Sequence, residues 1–114
     1  MFRVYAKHYL TQEGISYFRA VWFNRVQSIM KQQQGYISFV HDASSDVEDC
    51  VNVIVTFVDE ARLLAWVAHP EHDNLVDALD SYRSRSYWEY AVAREEVIDR
   101  SKLTWEREPN SRII

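Results

Sequence analysis

The sequence predicts an α+β domain of order β-α-β-β-α-β whose second helical region is broken in two. Three observations lead there. Apolar side chains alternate with a period of two near both ends of the chain, three- and four-residue spacing governs the stretches between, and Pro70 interrupts the second of those stretches. With 114 residues the chain is long enough for one domain around a single core.

The first strand is read over residues 2–10, FRVYAKHYL, where Phe2, Val4, Ala6 and His8 alternate with Arg3, Tyr5, Lys7 and Tyr9. Thr11 then caps a helix carrying Ile15, Phe18, Trp22, Val26, Ile29 and Met30 on one stripe, continued through KQQQ until Gly35 stops it. GYISFVHD forms a second strand. The polar, acidic ASSDVED makes the turn into a third, CVNVIVTFV, at residues 50–58. Asp59 caps a short helix with Leu63, Trp66 and Val67 facing inward. The proline ring pushes His69 out of helical geometry, so His69 ends that helix and Pro70 begins the next, with His72, Leu75, Val76, Leu79 and Tyr82 on its inner stripe. The closing strand is read over residues 87–98, where Trp88, Tyr90 and Val92 alternate with Tyr87, Ala91 and Ala93.

This order is the ferredoxin-like split βαβ arrangement, with both helical regions on one face of a four-stranded antiparallel sheet. The third strand and the first half of the closing strand are apolar on both sides, so the second face needs cover of its own. A second copy of the chain is the simplest cover. Such an interface resembles a core cut in half and is expected to bury on the order of 2,000 Å². Residues 1–105 are read as the domain and 106–114 as a tail.

Composition excludes several classes. The net charge of −4, with acidic and basic residues interspersed, argues against the positive face that nucleic acid demands. Arg83, Arg85 and Arg94 are read as decorating a solvated edge. Cys50 is the sole cysteine, which excludes an intrachain disulfide or a thiolate zinc cluster. No stretch has the length of a membrane span or a secretory signal, and the expected location is the cytoplasm. Gly14 and Gly35 are the only glycines, too few for a dinucleotide fingerprint or a phosphate loop, and no G-x-S-x-G elbow is present.

The chemistry-bearing residues gather at LLAWVAHPEHDNLV, residues 63–76. Trp66 and His72 belong to different helices, so three-residue spacing between His69 and His72 does not place them on one face. A metal site would need a third ligand, and Glu71 and Asp73 read instead as outward first-turn acids. His69 reads as a cap or surface residue. His72, on the inner stripe, reads either as a satisfied core histidine or as a pocket residue. Trp66, Tyr82, Trp88 and Tyr90 either pack or present polar tips to a space beneath the break.

LLAWVAHPEH resembles the helix joint of antibiotic biosynthesis monooxygenase domains, and SYWEYAVAREEVIDRS is similar to their closing strand. The resemblance runs in order over residues 2–101. It implies a dimeric α+β barrel with a pocket between helices and sheet in each subunit. Members of that family oxygenate electron-rich polycyclic aromatics without metal or flavin, relatives bind and open haem, and many have no assigned activity. Two departures stand out. Phe57 occupies a position where the family often has tryptophan, and the first strand lacks the asparagine of the haem-opening branch, whose helix histidine is also spaced differently.

The function expected from the resemblance is cofactor-independent oxygenation of an electron-rich aromatic or quinol-like small molecule, with neither metal nor cofactor. His72 would be the base and Tyr82 a hydrogen-bond donor to the developing oxyanion. Trp66, His69, Trp88 and Tyr90 would contact the substrate. The alternatives are a non-catalytic dimeric module that binds a small hydrophobic ligand, and a haem-binding or haem-degrading relative. The expected partners are a second copy of the chain and a small aromatic or hydrophobic ligand, with no nucleic acid and no membrane.

Overall fold

Five strands lie in the order β2-β3-β1-β4-β5, every neighbouring pair antiparallel. They are β1 (Phe2–Tyr9), β2 (Tyr36–Asp42), β3 (Cys50–Phe57), β4 (Trp88–Ala93) and β5 (Glu106–Glu108). The helices are α1 (Gln12–Tyr17), a π-helical stretch (Phe18–Trp22), α2 (Phe23–Met30), α3 (Glu60–Val67) and α4 (Pro70–Asp80), with a 3₁₀ turn at Arg100–Lys102. The structure, a computed structural model, describes residues 1–42, 50–95 and 99–108. The ASSDVED turn, the 96–98 end of the closing strand and residues 109–114 of the tail lie outside the described residues. The first four strands give the ferredoxin-like order, and β1 sits between β3 and β4 as the hub of the sheet.

Alternation assigns the faces. Phe2, Val4 and Ala6 of β1, Val51, Val53, Val55 and Phe57 of β3 and Phe39 of β2 join Phe18, Trp22, Val26, Met30, Leu63, Trp66, Leu75 and Leu79 from the helices in one core. The opposite face carries a row in register, Val40 beside Ile54, Ile54 beside Tyr5, Tyr5 beside Ala91. Part of that face is covered within the chain, because Leu103 and Trp105 pack on Tyr5, Ala91 and Ala93, with the Lys7 ammonium 4.1 Å from the Trp105 ring centre. Residues 106–108 extend the sheet beside β4, pairing Trp88 with Glu108 and Tyr90 with Glu106.

The first helical region departs from the expected single α-helix. Thr11 caps it as expected, its hydroxyl accepting from Gly14 N at 3.1 Å. Phe18, Trp22, Val26 and Met30 are all buried at four-residue intervals, and each such step overshoots one face of an α-helix by about 40°. The wider π turn takes up that drift, with Phe23 N–H donating to the Phe18 carbonyl five residues back. Regular helix ends at Met30 rather than running through KQQQ, and the chain turns through Gly35 at φ 84°. A Cβ there would stand 2.4 Å from Arg62 Cγ as well as requiring left-handed backbone, so glycine is needed twice over.

Candidate functional site

The break in the second helical region forms as expected. Asp59 accepts from Arg62 N at 2.9 Å to start α3. His69 is extended at φ −67° and ψ 137°, and Pro70 opens α4. His69 Nδ1 accepts from Glu71 N at 3.1 Å, so its imidazole serves as the N-cap. Glu71 and Asp73 lie exposed in the first turn, where the helix dipole favours acids.

Three of the expected site residues meet at this joint. The Trp66 ring is 5.8 Å from that of His69 and 5.5 Å from that of His72, edge-on to the latter at 88°. Trp66 is 2% exposed and His72 1%. His72 Nδ1 lies 3.3 Å from Asp73 Oδ1, which places the proton of a neutral ring on Nδ1 and leaves Nε2 as its basic nitrogen. The Trp66 indole N–H is buried with no acceptor among the described residues.

The other three expected residues lie elsewhere. Tyr82 stacks on Tyr17 at 4.8 Å and 21°, and its carbonyl accepts from Thr11 N at 2.8 Å. Tyr90 packs against the core but sends its hydroxyl to Glu106 Oε2 at 2.8 Å, lining a cleft of about 270 Å³ with Ala91, Val92, Thr104 and Glu106. Trp88 belongs to a second buried cluster. Its ring stacks on His8 at 6.2 Å and 28°, with the Arg83 guanidinium 4.5 Å above it.

This second cluster holds two residues that pattern reading did not single out. His8, 1% exposed, accepts at Nδ1 from Arg83 Nη1 at 3.0 Å, while Arg83 Nε donates to Asp80 Oδ1 at 2.7 Å. Arg83 therefore does not decorate a solvated edge: its side chain is 7% exposed, held inward because Leu10 bridges to Arg83 and Ser84 N donates to the Tyr9 carbonyl at 3.1 Å. Arg85 and Arg94 are exposed as expected. Burial and the Arg83 charge hold the His8 pKa down at about 3, so its ring is neutral. Because a guanidinium only donates, the single ring proton of His8 sits on Nε2, and that buried N–H has no acceptor among the described residues. Leaving such a donor unmet costs about 1–3 kcal/mol. Its register with Phe2, Val4 and Ala6 was the available signal that His8 faces inward.

Trp22 ties the clusters together. Its ring lies 6.1 Å from His8, and its indole N–H donates at 2.7 Å to the carbonyl of Leu75, three residues after His72. Among the described residues no three His, Cys, Asp or Glu side chains converge as a metal set, and no helix is long and apolar enough to cross a membrane.

The molecule is thus a ferredoxin-like α+β domain whose inner side carries histidines among tryptophans. The chain belongs to the antibiotic biosynthesis monooxygenase family, whose model matches residues 1–78. Among solved structures it is similar to SnoaB, a cofactor-independent oxygenase from Streptomyces nogalater. The two are 15% identical with a TM-score of 0.67, over 86% of this chain and 98% of that one. A conserved protein from Methanosarcina mazei Go1 is 15% identical with a TM-score of 0.72, over 83% and 92% of the respective chains. A further structure described as an antibiotic biosynthesis monooxygenase is 15% identical with a TM-score of 0.70, covering 85% of this chain and 100% of its own. At such identities these likenesses establish the fold. No curated protein matches the sequence.

Proposed function

We propose that the protein is a cofactor-independent monooxygenase acting on an electron-rich aromatic or quinol-like small molecule. The observation that supports this reading is His72, buried edge-on against Trp66 with Nδ1 3.3 Å from the Asp73 carboxylate, and its imidazole is the group assigned here as base. Ground-state oxygen reacts slowly with closed-shell molecules. The protein's task is therefore to make a substrate anion able to give up an electron. A neutral imidazole that removes a phenolic proton does this near neutral pH. Trp66 and Trp88 offer aromatic surfaces for the rings and His69 borders the joint, whereas the expected donors Tyr82, stacked on Tyr17, and Tyr90, whose hydroxyl donates to Glu106, are engaged away from it.

The same reading has two copies of the chain meeting through their outer sheet faces in the cytoplasm. The uncovered end of the outer row supports it, since Val40 is 48% exposed beside Ile54, while Leu103 and Trp105 already cover Tyr5 and Ala91. Close packing of Trp66 favours a second reading, a dimeric module that binds a small hydrophobic ligand without turning it over. Oxygen uptake against a panel of anthrones and hydroquinones separates the two. Turnover that drops at least tenfold in His72→Ala, with folding intact, supports the oxygenase. An active wild type whose rate is unchanged by that substitution removes His72 from the mechanism.

A further inference from the structure

Two buried side-chain nitrogens, His8 Nε2 and Trp66 Nε1, lack a partner among the described residues, and both are N–H donors. A partner for either must accept a hydrogen bond at that point. Asp80 fixes Arg83 at 2.7 Å, Arg83 fixes Nδ1 of His8 at 3.0 Å, and the tautomer follows from the donor-only guanidinium. His8 is flanked by Trp22 edge-on and Trp88 stacked, and Phe18 stacks on Trp22 at 5.2 Å. An oriented donor among flat apolar rings complements a planar aromatic molecule that carries an oxygen acceptor.

We propose that His8 is a specificity-determining contact of this protein, its Nε2–H donating to a ketone or quinone oxygen of a planar aromatic ligand. Arg83 is the positioning residue that keeps this proton on Nε2. The proposal rests on the reading that the helix side of the sheet admits an aromatic small molecule, and it adds the chemical group recognised there. His8 and His72 then divide the work. His72 takes a proton from the ligand, whereas His8 only donates to an oxygen that accepts.

The test uses a matched pair of soluble probes, anthraquinone-2-sulfonate and anthracene-2-sulfonate, which share a ring skeleton and differ in the carbonyls. Binding is read by tryptophan fluorescence and calorimetry on the full chain. The wild type should prefer the quinone probe at least tenfold. His8→Phe should abolish that preference while leaving the anthracene affinity within about twofold, and His8→Gln, which keeps an N–H donor, should restore part of it. In nitrogen-15 NMR of the wild type, the His8 ring proton should reside on Nε2 and its resonance should move with the quinone probe alone. A preference that survives in His8→Phe, or a His8 resonance that neither probe moves, overturns the proposal. If His8→Phe does not fold, the wild-type resonance decides. Oxygen uptake from an anthrone without a His8 response leaves the oxygenase reading standing and sinks this one. A His8 response without oxygen uptake does the reverse.

Discussion

Trp22 donates its indole N–H to the Leu75 carbonyl at 2.7 Å, fastening the π turn of the first helical region to the helix that follows Pro70. Trp22→Phe removes the bond and part of a fully buried ring. It should lower stability by about 1–3 kcal/mol in urea denaturation. An unchanged midpoint would mean that this bond contributes nothing net.

Gly14 is where α1 touches the segment leaving α4. A Cβ on it would meet Tyr82 Cβ at 2.6 Å and the Tyr82 carbonyl at 3.0 Å. Gly14→Ala should therefore cost about 1–3 kcal/mol and shift the Tyr17–Tyr82 stack, seen as altered near-ultraviolet circular dichroism. A variant as stable as the wild type with the same spectrum would show that the contact yields freely.

His8 makes stability pH-dependent in a defined direction. Its pKa is about 3 in the fold, against 6.5 for an ordinary histidine. Between those values the unfolded chain binds a proton that the folded chain refuses. Its contribution is complete above pH 6.5 and is lost progressively as pH falls towards 3. At pH 5 the loss attributable to His8 is about 2 kcal/mol. Comparing urea midpoints at pH 7 and pH 5 should show a smaller acid loss in His8→Phe than in the wild type. Equal losses would place the proton elsewhere.

Val40 stands exposed in the outer row that the proposed dimer would bury. Val40→Arg should halve the mass measured by sedimentation equilibrium if the sheets meet face to face, because a guanidinium would then be buried without a partner. A wild type that sediments as a single chain would dispose of the dimer.

Local chemistry made most of the fold legible. Alternation marks β1 and the start of β4, a nearly continuous apolar run marks β3, Thr11 and Asp59 announce their caps, and Pro70 locates the joint. What escaped depends on contacts far apart in sequence. Arg83 reads as a surface cation because His8, the group it meets inside, lies 75 residues away. The cover that Leu103 and Trp105 give Tyr5 is invisible for the same reason, which is why alternation alone leaves the whole outer face to a partner. The π turn is different. Its cue, three successive four-residue steps from Phe18 to Met30, is present in the sequence but also fits ordinary helical spacing. In the site, burial of Trp66 and His72 followed from their stripes. The stacking of Tyr82 on Tyr17 did not, because it pairs two half-buried residues of separate helical regions.

The family match stops at residue 78, inside α4, whereas β4 begins at Trp88 and flanks β1 along five paired positions from Arg3 to Lys7. A chain ended at residue 78 would therefore not stand by itself. Cut there, the hub strand would become a raw border with unmet amides, and the tryptophan that stacks on His8 would be gone. Such a fragment should aggregate on expression, its open strand edge recruiting the edges of other copies.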